Sequence, residues 1–121
     1  MPGTAYSEKP ARKGKAGIIG LTKVAALGYA GRGIRVNCVA PGTILTHHLE
    51  AAGGEAQRRA AQAAPMRRIG RAAEVADVVV WLCSPGSSYI TGTVIPIDGG
   101  QNAGVKSPQM YRQDQPMEAA N

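Results

Sequence analysis

Phenylalanine is absent from this chain, and the five aromatic residues (Tyr6, Tyr29, Trp81, Tyr89 and Tyr111) make up only 4% of it. Any hydrophobic core must therefore be built from Ala, Val, Ile and Leu. Cysteine is nearly absent too. Cys38 and Cys83 are the two present, each inside an apolar stretch (VNCVA and WLCSP). That usage predicts buried, reduced thiols in a cytoplasmic protein and not a disulfide scaffold. No apolar run approaches the roughly 20 residues a membrane span needs. The first fifteen residues, MPGTAYSEKPARKGK, contain no apolar segment of the secretory type. Acids are few: 8 against 14 Lys and Arg, a net charge of +6. The excess is split between Lys9, Arg12, Lys13 and Lys15 and a looser group of Arg58, Arg59, Arg67, Arg68 and Arg71. No aromatic residue sits inside either run, so neither is a stacking platform for nucleic acid. A solvated basic surface, or attraction to a phosphate-bearing cofactor, accounts for the charge.

What is present in 121 residues is one small domain's worth of chain with 44% hydrophobic residues. Residues 1–15 form a polar, basic leader. Residues 16–30, AGIIGLTKVAALGYA, predict a helix with Ile18, Leu21, Ala25 and Leu27 or Gly28 on one side. Its opposite side is hardly polar, so it calls for burial on two sides, one against a sheet and one against a further partner such as another subunit. Gly31, Arg32 and Gly33 stop it, with glycine supplying a left-handed cap. Ile34 to Ala40 reads as a short β-branched strand ended by Pro41 and Gly42. Residues 43–70 are Ala- and Arg-rich with few large apolar anchors, and predict two short helices of a mobile lid broken at Gly53-Gly54 and Pro65. Ala72 to Cys83 is the clearest helix, with Val75, Val78, Val79 and Leu82 at helical spacing and Glu74 in its first turn. Thr91 to Asp98 predicts a second strand, an edge strand because Pro96 cannot donate to a ladder. Residues 101–121 are Gln-, Pro- and Ala-rich and predict a disordered tail. Two strands joined through a helical crossover should be parallel. The expected class is α/β.

Two segments carry a family resemblance. Residues 15–46, KAGIIGLTKVAALGYAGRGIRVNCVAPGTILT, resemble the active-site helix, following strand and nicotinamide loop of short-chain dehydrogenases/reductases. Residues 66–100, MRRIGRAAEVADVVVWLCSPGSSYITGTVIPIDGG, resemble that family's closing helix and last strand. Together the likeness spans 86 residues, 15–100. It implies a partial Rossmann-like domain, the last two parallel strands with flanking helices and disordered ends. It also implies NAD or NADP as cofactor, a small alcohol or carbonyl as substrate, and homo-oligomers or an intact homologue as partner. Nucleic acid and membrane are not expected. The glycine-rich phosphate loop and the catalytic Ser that the family carries upstream have no counterpart in these residues. Gly14, Gly17 and Gly20 lie at and within a helix start with no strand before them, and read as packing glycines.

In the family, a Tyr and a Lys four positions apart share one helix face. The Tyr exchanges the proton that accompanies hydride transfer, and the Lys lowers its pKa and holds the ribose hydroxyls. The resemblance assigns these roles to Tyr6 and Lys15. Here, however, EKPARKG stands between Ser7 and Lys15 where the family has two residues, an apparent insertion of five. Nine positions apart on one helix, Tyr6 and Lys15 fall half a turn out of phase and roughly 13 Å apart along the axis. Pro10 favours a helix beginning at or after itself, which leaves Tyr6 on the leader. The segment Pro41, Gly42, Thr43, Ile44 and Thr46 resembles the nicotinamide loop. The resemblance implies backbone binding of the carboxamide near Ile44 and a contact from the Thr46 hydroxyl. Taken without the flanking matches, the same residues are an ordinary strand-ending turn. His47, His48 and Glu50 predict no metal site, because adjacent histidines point apart on a helix. Trp81 and Tyr89 read as packing residues. The expected function is an NAD(P)-dependent oxidoreductase, truncated and inactive alone. The alternative is a non-enzymatic remnant or interaction module that assembles with an intact homologue.

Overall fold

The computed structural model describes residues 10–114. They form two compact units, one from residues 10–41 and 71–97, the other from residues 42–70 and 98–114.

The first unit holds helix α1 (Pro10–Tyr29), strand β1 (Cys38–Pro41), helix α4 (Ala72–Leu82) and strand β2 (Val94–Ile97). α1 starts at Pro10, where a residue without an N–H costs no intrahelical bond. It ends through a 3-10 turn at Gly33, whose φ of +73° is left-handed and whose N–H bonds to the Ala30 carbonyl at 3.1 Å. Of the two apolar sides, the one carrying Thr22 and Ala26 is buried, whereas Ile18, Leu21, Val24 and Leu27 are 57%, 70%, 69% and 83% exposed. Gly92 lies close to this buried side: a Cβ placed on it would be in van der Waals contact, 3.4 Å, with the Ala26 Cβ. The Thr22 hydroxyl is satisfied inside the helix by the Ile18 carbonyl at 2.8 Å.

β1 and β2 pair in parallel, Cys38 with Val94 through Pro41 with Ile97, as the crossover rule requires. Both strands are shorter than the sequence suggests, and Pro96 is the exposed residue of β2. The reason lies at Gly92, whose φ of +73° takes the chain out of the extended region. Side chains replace the ladder there. Asn37 donates to the Ile90 carbonyl at 3.1 Å and accepts the Thr93 N–H at 3.2 Å, and the Thr91 hydroxyl accepts the Val36 N–H at 3.1 Å.

α4 begins where predicted, with the Glu74 carboxylate accepting the Arg71 N–H at 3.0 Å. Its C-terminal carbonyls are covered by polar groups that periodicity does not reveal. Buried Ser87 Oγ lies 2.9 Å from the Trp81 carbonyl and 3.0 Å from that of Leu82. The Arg35 guanidinium donates to Leu82 O at 2.7 Å and to Ile90 O at 3.1 Å. A fixed positive charge at a helix C-terminus also opposes the dipole's negative end. Arg35→Met is therefore expected to destabilise the chain by about 2 kcal/mol in a urea titration, since hydrogen bonds from charged donors are worth about 1.5–3 kcal/mol. Arg35→Lys should recover less than half, because one ammonium does not match two carbonyls as a planar fork does. Tyr89 is fully exposed and Trp81 is 44% exposed, so neither is the core packing residue expected. Of the two free thiols, Cys38 is half-buried but Cys83, just past the end of α4, is exposed.

The second unit holds helices α2 (His47–Ala51), α3 (Gly54–Gln62) and α5 (Pro108–Gln113). The break between α2 and α3 falls at Gly53 (φ +91°), as predicted, and Ala64 is buried beside Gly99. Residues 101–114 include two short helical turns. A 3-10 turn spans Gln101–Ala103, and Ser107 caps α5 by accepting the Met110 N–H at 3.3 Å. What composition misses is the Ser-Pro start signal at Ser107 and Pro108.

Candidate nicotinamide site

The loop after β1 is held by a narrow bridge to Gly70. Leu45 N–H donates to the Gly70 carbonyl at 2.9 Å, and Gly70 N–H donates to the Thr43 carbonyl at 3.0 Å. Ile44 pairs with Gly70 in this parallel bridge. Backbone groups alternate in direction along an extended segment, so Thr43 O and Leu45 N face Gly70 while the N–H and C=O of Ile44 face away. Those two groups have no hydrogen-bond partner among the described residues. A Cβ on Gly70 would stand 2.7 Å from the Ile44 Cδ1, so the end of the Ile44 side chain would have to move.

Thr46 sits at the N-cap of α2, where its hydroxyl oxygen accepts the Leu49 N–H at 3.3 Å. Accepting leaves its own proton free to donate. Gly42, Thr43, Ile44 and Thr46 line a shared cavity of about 490 Å³ with His48 and Leu49. His48 is a lining residue that the sequence reading places only in the lid. His47 Nδ1 lies 3.7 Å from Glu50 Oε2. No group of three or more His, Cys, Asp or Glu that could hold a metal occurs among the described residues.

The other expected site residues are placed separately. Pro41 ends β1, paired with Ile97, and is exposed. Lys15 is on α1 in the first unit and is exposed. Because α1 begins at Pro10, the helical position four before Lys15 is Ala11, which has no proton to give. Tyr6 lies outside the described residues.

Two parallel strands with flanking helices, followed by a loop whose Ile44 N–H and C=O are unpaired among the described residues, define a piece of an α/β domain. A protein-family model described as enoyl-(acyl carrier protein) reductase matches residues 7–102. The chain belongs to the short-chain dehydrogenase/reductase family. It is 51% identical over 86 residues to the 3-oxoacyl-(acyl-carrier-protein) reductase FabG of Thermotoga maritima, covering 71% of this chain and 35% of that protein. It is 43% identical over 100 residues to the protein FixR of Bradyrhizobium diazoefficiens, covering 83% and 33%. Among solved structures, a short chain dehydrogenase family protein of Francisella tularensis superposes with a TM-score of 0.71 at 36% identity, covering 79% of this chain and 46% of that one. ElxO with NADP bound superposes at 0.70 and 38% identity, covering 74% and 38%. The chain thus spans about a third of the length of the curated relatives it matches. No helix among the described residues is long and apolar enough to cross a membrane.

Proposed function

We propose that these residues carry the nicotinamide-binding and substrate-lid portion of an NAD(P)-dependent oxidoreductase acting on an alcohol or carbonyl, and that by themselves they turn nothing over. The observation that carries this reading is the unpaired N–H and C=O of Ile44, in a loop whose residues Ile44 and Thr46 line the same cavity. One donor and one acceptor on adjacent backbone atoms match a primary carboxamide, which needs both. A bound nicotinamide supplies or accepts the hydride. The chain's own part is to orient it through Gly42, Thr43, Ile44 and Thr46, with residues 43–70 closing over the substrate. Lys15 would hold ribose hydroxyls and lower the pKa of a neighbouring phenol. Ala11, four positions before Lys15, has no proton to donate. Two free thiols suit a reducing cytoplasmic compartment.

Calorimetric titration of the purified chain with NADH and NADPH tests the reading. Dissociation constants no tighter than millimolar are expected, since contacts at one end of a dinucleotide must offset the whole cost of its immobilisation. Micromolar binding would show that the chain holds a complete cofactor site.

A second reading rests on the exposed apolar residues of α1, Ile18, Leu21, Val24 and Leu27. Such a face fits an interaction module that joins a copy of itself or an intact homologue. Light scattering of the chain, alone and mixed with a full-length relative, separates these outcomes from a monomer.

A further inference from the structure

A second cavity, of about 660 Å³, lies in the 42–70 and 98–114 unit and shares no residue with the loop cavity. Its walls include Pro65 and Met66. The Tyr111 ring also lines it, with the Arg67 guanidinium 4.1 Å and the Lys106 ammonium 4.5 Å from the ring centroid. Lys106 is neutralised by an ion pair with Asp114. Arg67 has no carboxylate partner among the described residues; besides the ring it meets the Gln62 carbonyl at 3.5 Å. The Tyr111 hydroxyl has no partner there either. Arg67 is also the single non-glycine residue with a positive φ (+57°) among those described, a conformation L side chains rarely adopt. Such outliers cluster where a side chain is held for a purpose. Lys106, Tyr111 and Asp114 lie beyond residue 102, where the family match ends, whereas Pro65, Met66 and Arg67 lie within it.

We infer that this cavity is a binding site for a small organic carboxylate with an apolar body. A guanidinium lacking an acidic partner accepts a carboxylate at two points. The ring, Pro65 and Met66 cover an apolar body, and the volume lies in the ordinary range for small-molecule sites. Arg67, Lys106 and Asp114 sum to one positive charge. That balance suits a monoanion, and the Asp114 carboxylate disfavours a phosphate dianion.

The test uses the full chain with methyl-labelled methionine and follows the Met66 methyl resonance during titration. 3-Phenylpropionate is expected to shift it saturably. 3-Phenylpropanamide and inorganic phosphate should bind at least tenfold more weakly. Arg67→Gly should lose the response to the acid tenfold or more. Glycine takes a positive φ freely, so this change removes the charge without straining the backbone. Arg112→Ala, a charge removed outside the cavity, should leave the response intact. Equal binding of acid and amide overturns the proposal. So does an unchanged response in a folded Arg67→Gly chain, or no shift from the acid up to tens of millimolar.

Discussion

A chimera that carries residues 6–100 in place of the matching stretch of the Thermotoga reductase is expected to work poorly as it stands, and to gain roughly 10²–10⁴-fold in kcat when residues 8–12 are deleted. The size is that of a positioned general acid. In the unaltered chimera Tyr6 and Lys15 are nine positions apart, and a helix puts them on opposite sides. Pro10 also opens α1, so a helix running back to Tyr6 would meet a proline in its interior. The deletion removes that proline and leaves Tyr6, Ser7, Lys13, Gly14 and Lys15 consecutive, with the phenol and the ammonium one helical turn apart. Cofactor KM should change little between the two forms, because the loop at 42–46 is the same in both. Tyr6→Phe in the deleted form should return the rate to the low level. Equal rates with and without residues 8–12 would sink the assignment of Tyr6 as proton donor.

The sequence was most legible where one residue type dictates one backbone state. Gly33 in a left-handed cap, the Gly53 break and the helix over Ala72–Leu82 appear as read; of its periodic Val75, Val78, Val79 and Leu82, Val79 is 42% exposed. The loop at 42–46 was legible as a motif, but its chemistry was not. The freedom of Ile44 depends on a bridge to Gly70, 26 positions away, that no local pattern announces. Long-range polar contacts were equally hidden. Arg35 reaches Leu82 and Ile90, and Asn37 replaces ladder bonds next to Gly92, although neither residue breaks the β-branched look of its segment. Which side of α1 packs inside was not legible either, because a helix apolar nearly all round offers no polar face to exclude; the buried side carries Thr22 and Ala26. The tail cavity around Tyr111 lay in a stretch whose composition predicted disorder, and a single aromatic residue between two cations does not register in composition.

Gly42→Ala should destabilise the unit that carries the loop by about 3 kcal/mol and weaken nicotinamide binding in the chimera by more than tenfold. The added Cβ would stand 2.7 Å from the Asp98 Cβ and 2.9 Å from its Cα, both inside van der Waals contact. Rotation about χ1 moves neither atom, so Asp98 could yield only by moving its backbone. That backbone is anchored. Asp98 Oδ1 accepts the Gly100 N–H at 3.0 Å, Oδ2 accepts the Asn102 N–H at 3.0 Å, and its carbonyl accepts the Gln101 N–H at 3.3 Å. The strain is thus passed to the loop, where it displaces the N–H and C=O of Ile44 two residues on. A double-mutant cycle with Asp98→Gly measures this directly in urea titrations. Removing the Asp98 Cβ relieves the shorter contact but leaves the one to Cα, and it also deletes both carboxylate bonds. The double variant should therefore be less destabilised than the sum of the two single changes, yet remain well below the parent. Strict additivity would show that Gly42 and Asp98 are not in contact, and that the loop takes its shape from the Gly70 bridge alone.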